Sequence, residues 1–158
     1  MAVLDGGDIV YINRARSSWQ GQSEVETRLG RGSRLPASST AMGRTLLAYL
    51  SQQEQCEAIE AHAETPGSPE ALAAREKLME ELARVREKGF AMADQVHVEG
   101  QRCVAAPLRS RASEVIAAVE VAAAKSSFSR AQVLERLVPL VLASAEEMSA
   151  HLGHSFSG

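Results

Sequence analysis

The sequence predicts an α+β fold: an antiparallel sheet flanked by helices, closed by a long C-terminal helix. Three observations predict it. Runs of β-forming residues follow one another across short Asp/Gly/Ser joints, which is how antiparallel strands are connected. Residues 70–88 and 130–152 instead place apolar side chains every three or four positions, the repeat of an amphipathic helix. The order strands, helices, strands, helix packs helices onto a sheet rather than alternating them with parallel strands.

Taken in order, Ala2-Val3-Leu4 and Ile9-Val10-Tyr11-Ile12 form two strands joined at Asp5-Gly6-Gly7-Asp8. Residues 13–22 are polar and read as a loop. Its tryptophan, Trp19, either packs on the domain, closes over a ligand or sits at a subunit contact. Residues 23–29 alternate Val25, Thr27 and Leu29 with Glu24, Glu26 and Arg28, the pattern of a half-buried strand. A glycine turn and Pro36 lead into a helix at 40–50. Ser38, Ser39 and Thr40 each offer an oxygen to cap its free amides. Ser51-Gln52-Gln53-Glu54 is a capping box that opens a short helix to about residue 63.

After a Pro/Gly linker at 65–69, Ser68 is placed as an N-cap. Pro69 fits the first helical position, where its missing N–H would have been unpaired. The helix at 70–88 carries an apolar stripe of Leu72, Met79, Leu82 and Val85, with Leu78 beside it, and Gly89 ends it. Three strands follow at 90–98, 101–108 and 114–122. Ser129 and Gln132 form a second capping box, and the last helix shows a stripe of Leu134, Leu137, Val141, Ala145, Met148 and Leu152. Pro139 removes one hydrogen bond and crowds the Glu135 carbonyl, which predicts a kink. The domain is expected to span 1–153, with 154–158 a flexible tail.

At 158 residues the chain is one domain, large enough to bury a core, and 45% hydrophobic against 23% charged content makes it globular. A net charge of −3 does not suit a nucleic-acid-binding domain, which needs a basic face to displace counterions. No apolar run reaches the ~20 residues of a membrane helix, and no signal-peptide pattern opens the chain. A cytoplasmic location is expected. Cys56 and Cys103 are too few for a disulfide framework, and neither has a partner at zinc spacing, so no metal and no cofactor are expected.

Few residues suggest chemistry. Cys103 as a nucleophile needs a base or a positive neighbour. Strand alternation puts Arg102 on the opposite face, and His97 lies across a glycine turn, so a packing cysteine is favoured and no catalytic residue is assigned. Glu120 shares parity with Ile116 and Ala118 on an otherwise apolar face. A carboxylate there needs a partner or a raised pKa, and it would repel an anionic effector unless an arginine offsets it, so either the effector is not a simple small acid or Glu120 turns outward at a sheet edge. Ala41, Met42 and Gly43 form the first turn of the helix at 40–50. Their amides could serve an ordinary capped helix or meet a ligand carboxylate. His62, His97, His151 and His154 read as solvated surface histidines.

Four ordered motifs carry a resemblance: Gly32-Ser33-Arg34-Leu35-Pro36, then Gly43-Arg44-Thr45-Leu46-Leu47-Ala48, then Val85-Arg86-Glu87-Lys88-Gly89-Phe90, then Glu99-Gly100-Gln101-Arg102-Cys103-Val104-Ala105-Ala106-Pro107. With the C-terminal helix they resemble the effector-binding domain of IclR-type transcriptional regulators over nearly the whole chain. Ala2-Val3-Leu4-Asp5-Gly6 and Arg34-Leu35-Pro36-Ala37 are similar to the branch that regulates β-ketoadipate and related aromatic catabolism. The resemblance implies a GAF-like fold, a small-molecule effector, self-association as dimer or tetramer, and DNA contact only through an N-terminal winged helix-turn-helix absent from this chain. It also implies a pocket. The Ala41 and Met42 amides would hold an anionic group, Leu35 would form a wall, and Cys103, Glu120 and Ala122 would line two strands. Asp94 is the candidate for an acidic pocket position that ungapped alignment gives to Ala93. Two other functions stay open: a GAF-like enzyme using Cys103, and a structural dimerisation module without an effector.

Overall fold

The computed structural model describes residues 1–15, 29–96 and 99–155. The strand expected at 23–29 (apart from Leu29), Trp19, His97 and residues 156–158 of the tail lie outside the described residues. Among the described residues six strands form one antiparallel sheet. They are β1 (Ala2–Asp5), β2 (Asp8–Tyr11), β3 (Arg34–Pro36), β4 (Ala91–Asp94), β5 (Gln101–Arg109) and β6 (Val115–Ala124), in the spatial order β3-β2-β1-β6-β5-β4. The helices are α1 (Ala41–Leu47), α2 (Gln52–Glu60), α3 (Pro69–Lys88) and α4 (Val138–His151). This is the α+β architecture the sequence predicts.

The β1–β2 hairpin turns on Gly6 and Gly7, with Asp5 opposite Asp8. Two carboxylates side by side repel, and Arg34 resolves this by pairing with both, its Nε 3.1 Å from Asp8. That clamp brings in β3, an edge strand of three residues that pattern reasoning did not reveal. Its Pro36 lies at the sheet edge, where a missing donor is harmless.

The sheet is covered on both faces. Ile9, Met42, Leu47, Leu82 and Ala105 pack together under α1 and α3. Val104, Ala106, Leu108, Val133 and Val141 pack under α4. Ser68 caps α3 by accepting from the Ala71 amide, and Gly89 ends it at φ 78°, donating to the Val85 carbonyl. Leu72, expected in the α3 stripe, is exposed.

The last helix departs from its expected stripe for a physical reason. Val133–Leu137 is a π-helical turn, in which the Val138 amide donates to the carbonyl five residues back, at Val133. The extra residue sits just ahead of Pro139, where an α-helical ladder would be interrupted in any case. It shifts the phase across the turn, so Val133 takes the buried place expected of Leu134; beyond it Val141 and Ala145 are buried as expected, with Val138 and Ser149, while Leu134, Met148 and Leu152 are exposed. The expected kink is thus taken up as a π turn. The helix closes as a Schellman motif: Gly153 donates to Ala150, and His154 donates to Ser149.

β4 ends earlier than expected because Gln95 adopts φ 58°, off the strand. In β6 the register with β5 shifts between Leu108 and Arg109, so Ile116 has no partner and is exposed. Ala118, Glu120 and Ala122 keep a common face opposite Pro107, Ala105 and Cys103.

Candidate functional site

The helix start that the sequence singles out is fixed from four sides. Thr40 is the N-cap, its side chain accepting from the Gly43 amide at 3.0 Å. A Cβ on Gly43 would lie 2.1 Å from the Ala37 carbonyl oxygen, so only glycine lets the 3₁₀ turn Ala37–Ser39 press on α1. The smallness of this turn therefore serves packing against the chain itself. Arg44 bridges the Ser38 carbonyl and Glu81 of α3. The fully buried Thr45 hydroxyl reaches the Ala41 carbonyl at 2.9 Å and the Ala105 carbonyl of β5 at 3.3 Å. Buried Gln55 donates to the Leu47 carbonyl at the other end.

Held this way, the first turn of α1 faces the sheet across a cavity of about 480 Å³. Such a volume lies in the range of small-molecule sites, about 300–1,000 Å³. Leu35, Ala41, Met42, Cys103, Glu120 and Ala122 all line it, so the structure brings six of the seven expected residues together. Asp94 is the exception and a correction. It pairs in register with Arg102, whereas Ala93 pairs with Cys103 and lines the cavity. One step along a strand reverses the face, so the Asp94 carboxylate meets the Arg102 guanidinium at 3.1 Å on the far side. Arg102 also donates to the Phe128 carbonyl at 2.7 Å.

Glu120 points inward. Its carboxylate accepts from the Met42 amide and from the Cys103 thiol. Burial pushes its pKa up to about 7, and the Met1 ammonium, the two donors and Arg14 only partly offset this. The outward orientation that the sequence left open is therefore not adopted. The Cys103 thiol donates to the Glu120 carboxylate, and Arg102 lies on the opposite face of β5.

The expected list also omitted Tyr11 and Arg14, which line the cavity from the end of β2 and the segment after it. Parity with buried Ile9 already pointed to Tyr11. Nothing local announced Arg14, because the long-range β1–β6 pairing brings it there. Among the described residues no group of three His, Cys, Asp or Glu could hold a metal ion. His151 and His154 engage different groups, the Glu147 carbonyl and the Ser113 hydroxyl. No helix among the described residues is long and apolar enough to cross a membrane.

The family model for the bacterial transcriptional regulator IclR C-terminal region matches residues 1–150. The chain belongs to the IclR family. As such it is 35% identical over 133 residues to the transcriptional regulator XynR of Escherichia coli K12, covering 84% of this chain and 51% of XynR. It is 30% identical over 152 residues to the Pca regulon regulatory protein of Pseudomonas putida, covering 96% and 51%. This IclR domain thus spans about half the length of those relatives. Among solved structures, a regulator from Rhodococcus sp. RHA1 superposes with a TM-score of 0.83 at 30% identity, over 96% of this chain and 59% of that one. A double mutant of the PobR inducer-binding domain from Acinetobacter, in complex with 3-hydroxybenzoic acid, gives 0.77 at 25%, over 94% and 84%. These IclR relatives are transcriptional regulators, which sets aside the enzyme reading of Cys103.

Proposed function

We propose that this chain is the effector-sensing and self-associating part of a transcriptional regulator, and that the cavity under α1 takes a small organic acid, an aromatic one foremost. The observation that carries this reading is the cavity itself: one apolar-walled space, of small-molecule size, in which six expected pocket residues converge. The aromatic acid held by the PobR inducer-binding domain supports the ligand class. The mechanism is linkage. An effector that binds one subunit arrangement better than another shifts that equilibrium and moves DNA-reading domains attached to it in the cytoplasm.

Thermal unfolding near pH 6 against aromatic, oxo- and dicarboxylic acids tests the reading. A ligand at about a hundred times its Kd adds about 2.7 kcal/mol, a rise in Tm of roughly 5–10 °C for a domain of this size. A second reading, a dimerisation module whose cavity binds nothing, draws on Glu120 already engaging the Met42 amide. It is the outcome if no acid moves Tm while sedimentation shows a stable oligomer.

A further inference from the structure

The polar end of the cavity already holds a carboxylate. Glu120 lines it beside Ala41, Met42, Cys103 and Ala122, and takes the Met42 amide and the Cys103 thiol as donors. A ligand carboxylate seated there would converge on the same donors. Two carboxylates in one site cannot both stay ionised at low cost, and they settle by sharing a proton. We propose that acid recognition in this cavity is conditional on one proton: the ligand carboxylate is held against a protonated Glu120, whose O–H donates to it, and ionised Glu120 refuses the anion. This rests on the acid-sensing reading above.

Among the described residues that face Glu120, the Met1 amine is a second titrating group, its pKa below the ordinary value of 8.0 because burial lowers it. From just before β1 the Met1 ammonium faces Glu120, and from the segment after β2 the Arg14 guanidinium does. Tyr11 of β2 lines the same cavity, β5 contributes the Cys103 thiol, and β4 contributes Ala93. From α1 comes the Met42 amide, with Ser39 and Thr40 just before it. Among the described residues lining the cavity, Glu120 is the one acid. Its pKa of about 7, raised by burial, puts the switch inside the physiological range.

The sign is definite. Below about pH 7 Glu120 is protonated and receives the anion. Above it, binding must take up a proton, and affinity falls about tenfold per pH unit. A pocket of amides alone would show no such slope, because an aromatic acid is ionised throughout this range. The domain would then report acid and proton together, and Glu120 would set which ligands it admits.

Calorimetric titration with 3-hydroxybenzoate at about pH 8, in two buffers of different ionisation enthalpy, counts the protons directly. The expected result is uptake close to one proton per ligand bound. Glu120→Gln, a neutral near-isostere, should abolish the uptake and bind at least tenfold tighter than the unaltered chain at this pH. Should that variant not fold, the count on a chain with an acetylated Met1 decides, because acetylation removes the other titrating group that faces Glu120. Binding with no proton uptake and no gain in Glu120→Gln overturns the inference while acid sensing stands. Absence of binding near pH 6, by either protein, overturns acid sensing for this probe and the inference with it.

Discussion

At the scale of single residues, two positions carry the site, and each makes a prediction. Gly43 is where a methyl would meet the Ala37 backbone. Neither side can yield by rotating a side chain, so Gly43→Ala should cost about 2–3 kcal/mol, the upper part of the overpacking range. Urea unfolding measures it, and the cavity should lose its shape with the turn. Glu120 makes stability depend on pH. Its folded pKa is raised, so the folded state binds more protons than the unfolded state between about 4.5 and 7. Stability then falls as pH rises through that window, by at most about 3 kcal/mol. The matched measurement on Glu120→Gln isolates this: the variant should equal the unaltered chain near pH 4 and exceed it near pH 8. In a chain that continues before Met1, the ammonium becomes an amide and its offset is lost. Glu120 should then titrate higher still.

At the scale of elements, local rules were legible wherever one side chain serves its own segment. Ser51 and Glu54, Ser68 and Pro69, Ser129 and Gln132 cap where the sequence places them. Gly89 is a clean test, since its φ of 78° leaves room for a methyl and only backbone strain opposes one. Gly89→Ala should cost about 1–2 kcal/mol in chemical denaturation, the left-handed penalty of a non-glycine residue. The rest was hidden because it depends on distant partners. β3 is held by backbone pairing with β2, and Arg34 adds a clamp on the hairpin turn. The last stripe holds at Val141 and Ala145 but fails ahead of α4 at Leu134, because a π turn is invisible to a fixed period. Asp94 stands one residue from the cavity-lining position, the smallest step that reverses a strand face, and only the pairing of Ala93 with Cys103 sets which of the two faces in. Glu120 was recognised as anomalous, but its orientation needed the Met42 amide and the Cys103 thiol in place.

At the scale of the whole molecule, this chain alone should self-associate without recognising DNA. Leu140 is 64% exposed on α4, and Leu134, Met148 and Leu152 are also exposed, apolar surface that a second copy could cover. Sedimentation should show at least a dimer at about ten to a hundred micromolar, the concentration of a typical weak complex. With a net charge of −3, sequence-selective gel shifts at physiological salt should be absent. The cavity under the first turn of α1 is where the effector is proposed to bind. Backbone amide NMR during a titration with 3-hydroxybenzoate tests it most directly. The largest shifts should fall on Ala41, Met42, Cys103, Glu120 and Ala122. Shifts centred instead on the shallow groove of Tyr49, Arg84 and Arg86, with those five amides unmoved, would contradict it.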